Sequence, residues 1–125
     1  MKALLLAAHG SRVDRSNEEF QVLAERVSKH LSGRYDVITT AFLELATPTI
    51  GDEIDRLVAA GAERIRILPC FLLEGSHVGE DIPALVATAR DKHPGVKMEL
   101  QPHLAADPQF VNYLAQVAAT GQHSG

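Results

Sequence analysis

A chain of 125 residues, 46% hydrophobic and 22% charged, fits one soluble domain able to bury roughly two-thirds of its unfolded surface. The net charge of −4, with no Lys/Arg cluster to override it, gives no footprint for nucleic acid, and the apolar runs fall far short of the ~20 residues a membrane span needs. Met1-Lys2 leads into a strand-like segment without a cleavable signal pattern, which predicts a cytoplasmic protein, and the lone Cys70 reads as a small buried apolar residue, not half of a disulfide.

Residues 2–8 form a continuous apolar run, the pattern of a strand covered on both faces. Ser16 and Glu19 have the spacing of a capping box, and Phe20, Leu23, Val27 and Leu31 follow at helical intervals up to Gly33. A second strand, 35–43, leads to Thr47-Pro48, where Thr can cap and Pro can occupy the first helical turn. Ile50, Ile54, Leu57 and Val58 stripe that helix, and Gly61 ends it. The third strand, 64–71, alternates Arg and Ile before turning fully apolar. A glycine-containing loop then precedes a helix over 81–92, with Asp81 as cap and Pro83 in the first turn. The fourth strand, 96–100, alternates apolar and charged residues as an edge strand does. Asp107-Pro108 opens the last helix, striped by Phe110, Val111, Leu114 and Val117. Residues 1–118 read as the domain and 119–125, with His123, as a flexible solvated tail.

Four βα units with short connections predict a three-layer α/β fold: a four-stranded parallel sheet with helices on both faces. The most apolar strand belongs in the centre, giving the flavodoxin-like order 2-1-3-4. Ligands of such sheets bind beyond the carboxyl ends of the strands, at the switch point between strands 1 and 3.

His9 follows strand 1, Glu44 ends strand 2 and His77 follows strand 3. With strands ~4.8 Å apart, the three can converge on one crevice. Two imidazoles and a carboxylate suit a borderline divalent metal with an open coordination position, and neutral imidazole also accepts protons near pH 7. Plainer readings stand beside this one: a satisfied polar residue for His9, a loop residue for His77, and a helix-dipole partner for Glu44. His103, at the end of strand 4, can rim the crevice in an accessory role, whereas His30 and His93 read as surface residues. Gly10 and Gly75 allow close backbone approach, and Ser11, Arg12 and Ser76, beside helix starts, offer donors to anions.

The segments AAHGSR at 7–12, AFLELATPTI at 41–50 and ILPCFLLEGSHVGEDIP at 67–83 resemble the small class II tetrapyrrole chelatases of the short sirohydrochlorin cobaltochelatase type, relatives of the siroheme ferrochelatases. The resemblance covers nearly the whole chain in order, without the long histidine-rich loops of some relatives. It implies His9 and His77 as catalytic and metal-handling histidines and Glu44 as their acidic partner, all three holding the metal. The implied reaction inserts Co2+, with Fe2+ or Ni2+ as alternatives, into sirohydrochlorin, with no cofactor beyond that metal substrate. Cobalt would serve a cobalamin pathway and iron a siroheme pathway. Leu45, Leu72, Leu73 and Val78 are candidate walls for the ring, and Arg12 with the helix-start amides candidate anchors for its carboxylates. Larger relatives resemble two such domains fused, which implies a homodimer for this length. A zinc hydrolase using the same His/Glu/His set and a carrier without turnover are the competing readings. A serine hydrolase through Ser11 lacks the G-x-S-x-G elbow, and a nucleotide site lacks both G-x-G-x-x-G and the P-loop pattern.

Overall fold

The computed structural model describes residues 1–120, with the backbone alone at His77. Its elements follow the chain as β1 (Lys2–Ala8), α1 (Asp14–Ser28), β2 (Val37–Phe42), α2 (Ile50–Ala59), β3 (Arg64–Pro69), a π-helical turn (His77–Asp81), α3 (Ile82–Lys92), β4 (Lys97–Leu100), a 3-10 turn (Leu104–Ala106) and α4 (Pro108–Thr120). All strand pairs are parallel and the order is β2-β1-β3-β4, as the alternating pattern predicts. Helix α4 runs through Ala119 and Thr120, and the rest of the expected tail, His123 included, lies outside the described residues.

The central position of β1 follows from its side chains. Leu5 is fully buried on the face covered by α2 and α3, where Ile50, Ile54, Leu57, Ile82 and Val86 meet it. Leu4 and Leu6 are buried on the opposite face with Phe20, Ala24 and Ile38. Each leucine so buried contributes about 1.5–3 kcal/mol relative to exposure, an outcome open only to a strand covered on both sides. The edge strand β4 buries Met98 and keeps Glu99 on the other face, paired with Arg66 at 3.1 Å. That bond lowers the Glu99 pKa and raises that of Arg66.

Several local expectations are corrected. Helix α1 starts at Asp14, two residues ahead of the expected capping box, so Ser16 lies inside it and Val13 stands at the cap without a side-chain bond. It ends at Ser28, leaving Leu31 in the turn that reaches Gly33. The cap of α2 is Thr49, whose Oγ1 accepts from the Asp52 amide at 3.2 Å. Pro48 precedes the helix because its carbonyl accepts from the Phe42 amide and holds this stretch extended. Asp81 makes no side-chain cap bond, since the π-helical turn already runs into α3 with helical backbone. His93 is no surface residue: its side chain is 17% exposed and its Nε2 lies 2.8 Å from Asp55, linking the end of α3 to α2. With Lys92, this contact holds the Asp55 carboxyl below its ordinary pKa.

Candidate active site at the carboxyl edge of the sheet

The register of the sheet builds the site. Ala8 pairs with Phe42 and Ala7 with Pro69, and the ladder continues past the strand ends. The Leu43 amide donates to Ala8, the Glu44 amide to His9 at 3.0 Å, and the Cys70 amide to Ala7. His9 and Glu44 are thus neighbours because β1 and β2 are adjacent, although 35 residues separate them.

Close contact sharpens this pairing. Gly10 has φ of 98°, and a Cβ there would lie 1.8 Å from the Glu44 carbonyl oxygen. Only glycine lets the loop after β1 seat against the loop after β2. His9 Nδ1 lies 3.0 Å from the Gly10 carbonyl. A carbonyl oxygen only accepts, so Nδ1 carries the proton and, in the neutral ring, Nε2 holds the lone pair. That Nε2 is 3.8 Å from Glu44 Oε2, with both side chains nearly half exposed. The gap is too long for a direct hydrogen bond. Two ligands held at ~2.0–2.2 Å from one ion stand roughly 3–3.5 Å apart, so a small rotation of Glu44 brings both donors onto a shared cation.

His77 opens the π-helical turn after β3, not the glycine loop the sequence suggests; its side chain is outside the described atoms. Among the described residues, no three His, Cys, Asp or Glu side chains gather around one point. Glu44 also opens on a groove of about 390 Å³, shared with Asp81 and Leu85.

The remaining candidates are spread along the rim. Ser11 is half-buried and Arg12 exposed at the entry to α1, while Gly75 and Ser76 are exposed in the helical residues ahead of the π turn. Leu45, Leu72 and Leu73 are 49%, 53% and 69% exposed. Leu45 also has φ of 66°, a strained conformation for a branched side chain that leaves it half in water at the site. Val78, by contrast, is buried in the core beside Ile82. His103 and Val78 line a separate cavity of about 250 Å³ beside β4. Cys70 is mostly buried, and burial pushes its thiol up to about 11, which keeps it from acting as a nucleophile.

Two residues missed from sequence complete the site. Phe71 sets its ring edge-on to His9, centroids 6.3 Å apart, a favourable arrangement that limits rotation of the imidazole. Its carbonyl accepts from the Leu104 amide and that of Leu72 from the Ala105 amide, so the segment after β4 braces the segment after β3. Asn17 bonds the backbone of Ser11 from α1. Phe71 was hidden inside the apolar run assigned to strand 3, and Asn17 inside an amphipathic helix; only the three-dimensional register separates them from core and surface.

The strand order 2-1-3-4, with helices on both faces and an imidazole beside a carboxylate at its carboxyl edge, defines a doubly wound α/β protein. The family model CbiX matches residues 3–120, and the chain belongs to that family. It is 36% identical over 93 residues to the sirohydrochlorin cobaltochelatase of Methanocaldococcus jannaschii, covering 74% of this chain and 64% of that one. It is 32% identical over 116 residues to the sirohydrochlorin ferrochelatase of Priestia megaterium, covering 93% of this chain and 43% of that one. The chain thus spans less than two-thirds of these curated relatives. A crystal structure of a putative cobalamin biosynthesis CbiX protein from Marinobacter aquaeolei superposes over the full length of both chains with a TM-score of 0.82 at 26% identity. The sirohydrochlorin chelatase SirB from Bacillus subtilis subspecies spizizenii, in complex with cobalt, superposes with a TM-score of 0.80 at 29% identity. That match covers 95% of this chain and 50% of SirB.

Proposed function

We propose that this chain is an enzyme that inserts a divalent metal, cobalt foremost, into sirohydrochlorin. The observation that carries the reading is the His9–Glu44 pair at the carboxyl edge, with an imidazole nitrogen lone pair 3.8 Å from a carboxylate oxygen. Insertion places the cation at the four ring nitrogens and releases two pyrrole protons. His9 Nε2 supplies ligation or proton acceptance, Glu44 offsets the cation's charge and passes protons on, and His77 serves as the second histidine. Exposed Leu45, Leu72 and Leu73 offer an aliphatic wall to the macrocycle, and Arg12, Ser11, Ser76 and the backbone near Gly10 and Gly75 offer donors to its carboxylates. The relatives named for cobalt and for iron support these two metals before nickel. The cytoplasm is the proposed compartment; among the described residues no helix is long and apolar enough to cross a membrane.

The test is anaerobic absorbance of sirohydrochlorin with Co2+. The protein is expected to exceed the spontaneous rate, and His9→Ala and His77→Ala to lower the catalysed rate by ~100-fold or more. No acceleration with Co2+, Fe2+ or Ni2+ would overturn the reading in favour of a carrier or a zinc hydrolase.

The working unit in this proposal is a homodimer whose two crevices enclose the ring. Helix α4, despite its apolar stripe, buries none of its residues. Val111, Leu114 and Val117 are about half exposed, and α4 stands off Leu68 across a cavity of about 370 Å³ that Phe110 and Tyr113 also line. The helix carries no charged residue, so two chains of net charge −4 can meet along it without like-charge repulsion. SirB, of which this fold accounts for half, supports a second copy as the partner. Light scattering at ten micromolar is expected to give a dimer and Leu114→Lys a monomer. A wild-type monomer with substrate present would sink the proposal.

A further inference from the structure

The loop that presents His9 is held from behind by a residue outside the crevice. Asn17, in the first turn of α1, accepts from the Ser11 amide through Oδ1 at 3.0 Å and donates from Nδ2 to the Ser11 carbonyl at 2.9 Å. Ser11 Oγ accepts from the Val13 amide at 3.0 Å, closing the turn into the helix. A single amide orientation of Asn17 satisfies both of its bonds.

The Gly10–Ser11 peptide joins this clamp to the imidazole. It is trans, so its C=O and N–H lie in one plane and point in opposite directions. Its N–H goes to Asn17 and its C=O accepts from His9 Nδ1. Gly10, at φ of 98°, lacks the side chain that would otherwise resist rotation of this peptide. Fixing the N–H therefore fixes the carbonyl, which holds the His9 proton on Nδ1 against the pull of the Glu44 carboxylate 3.8 Å from Nε2. The two bonds also polarise one another through the shared amide.

We propose that Asn17 is a positioning residue that sets the tautomer and orientation of His9 through the Gly10–Ser11 peptide, keeping the lone pair on Nε2 where Glu44 stands. Its consequence for metal handling rests on the function proposed above, but the tautomer itself does not. Partners of this kind behind a ligating histidine typically change metal affinity by ~10–100-fold.

The experiment is long-range proton–nitrogen NMR of the whole chain at alkaline pH, with the imidazoles neutral. Wild type is expected to show His9 with a protonated Nδ1 and an unprotonated Nε2. Asn17→Ala is expected to shift both nitrogens toward the tautomer average, with the amide fingerprint of β1 unchanged, and to weaken Co2+ binding ~10-fold. Asn17→Asp keeps the acceptor for the Ser11 amide, the bond that orients the Gly10–Ser11 peptide, and loses the bond to the Ser11 carbonyl; it is expected to be less stable yet retain the native tautomer, a separation that a merely structural role would not give. Two results would overturn the proposal: a mixed tautomer in wild type, or an Asn17→Ala variant whose Ser11 amide shift moves while the His9 nitrogens stay in place. Failure of the chelatase reading would appear separately, as absent turnover in wild type.

Discussion

Replacing Gly10 with alanine is expected to lower the unfolding temperature by about 10 °C or more and to abolish the metal insertion proposed for this chain. A methyl group there would sit 1.8 Å from the Glu44 carbonyl oxygen and 3.3 Å from Phe42 Cβ. Neither can yield cheaply: one is backbone and the other belongs to a side chain only 1% exposed. The φ of 98° adds a conformational cost of ~1–3 kcal/mol for a non-glycine residue. Together the clash and the strain reach about 3–4 kcal/mol, the upper range for single substitutions. At roughly 3–4 °C per kcal/mol for a domain of this size, that gives the expected shift. The loops after β1 and β2 must part to admit the methyl, and His9 and Glu44 part with them.

Gly61→Ala separates strain from the site. Gly61 has φ of 105°, yet a Cβ there meets nothing within 4 Å. That variant is expected to lose about 1–2 kcal/mol by thermal unfolding and to keep the wild-type insertion rate. Full activity in Gly10→Ala would show that the contact between the two loops does not shape the reacting site.

This contrast also shows where the sequence is informative. The order of the sheet was legible because it depends on pattern: a strand apolar on both faces belongs in the middle, and one with alternating charge belongs at an edge. His9 and Glu44 were legible because parallel strands bring their carboxyl ends together whatever the details. Helix starts were less so, since Ser16-x-x-Glu19 satisfies a capping box equally well inside a helix, and the chain spends its local bonds on the Ser11–Asn17 clamp instead. The exposure of α4 could not be read from its stripe, because an apolar face at helical spacing looks the same whether it meets its own sheet or another molecule. The apolar run reads Phe71 as part of β3, but the strand ends at Pro69, and beyond it the ring meets His9 edge-on while still packing against the core.

Substituting Arg56 with methionine is expected to cost about 2–3 kcal/mol, although Arg56 itself is largely exposed. The reason lies with its partner: Glu53, one turn earlier on α2, is only 3% exposed. The guanidinium grips that carboxylate with Nε on Oε1 at 2.9 Å and with its terminal nitrogen on Oε2, a two-point contact that raises the arginine pKa. Removing the arginine leaves a buried carboxylate without its counter-charge. For a fully buried pair that costs ~3–5 kcal/mol; the exposure of the Arg56 side chain, 61%, reduces the figure through solvent screening. Urea unfolding at pH 7 would measure the loss. Changing Glu53 to methionine in the same chain is expected to recover most of the loss, because α2 then packs two apolar side chains where it had held an ion pair. A single Arg56→Met variant as stable as wild type at pH 7 would mean that water in the adjoining cavity of about 390 Å³, lined by Glu53, Arg56 and Thr39, solvates the carboxylate as well as the guanidinium does.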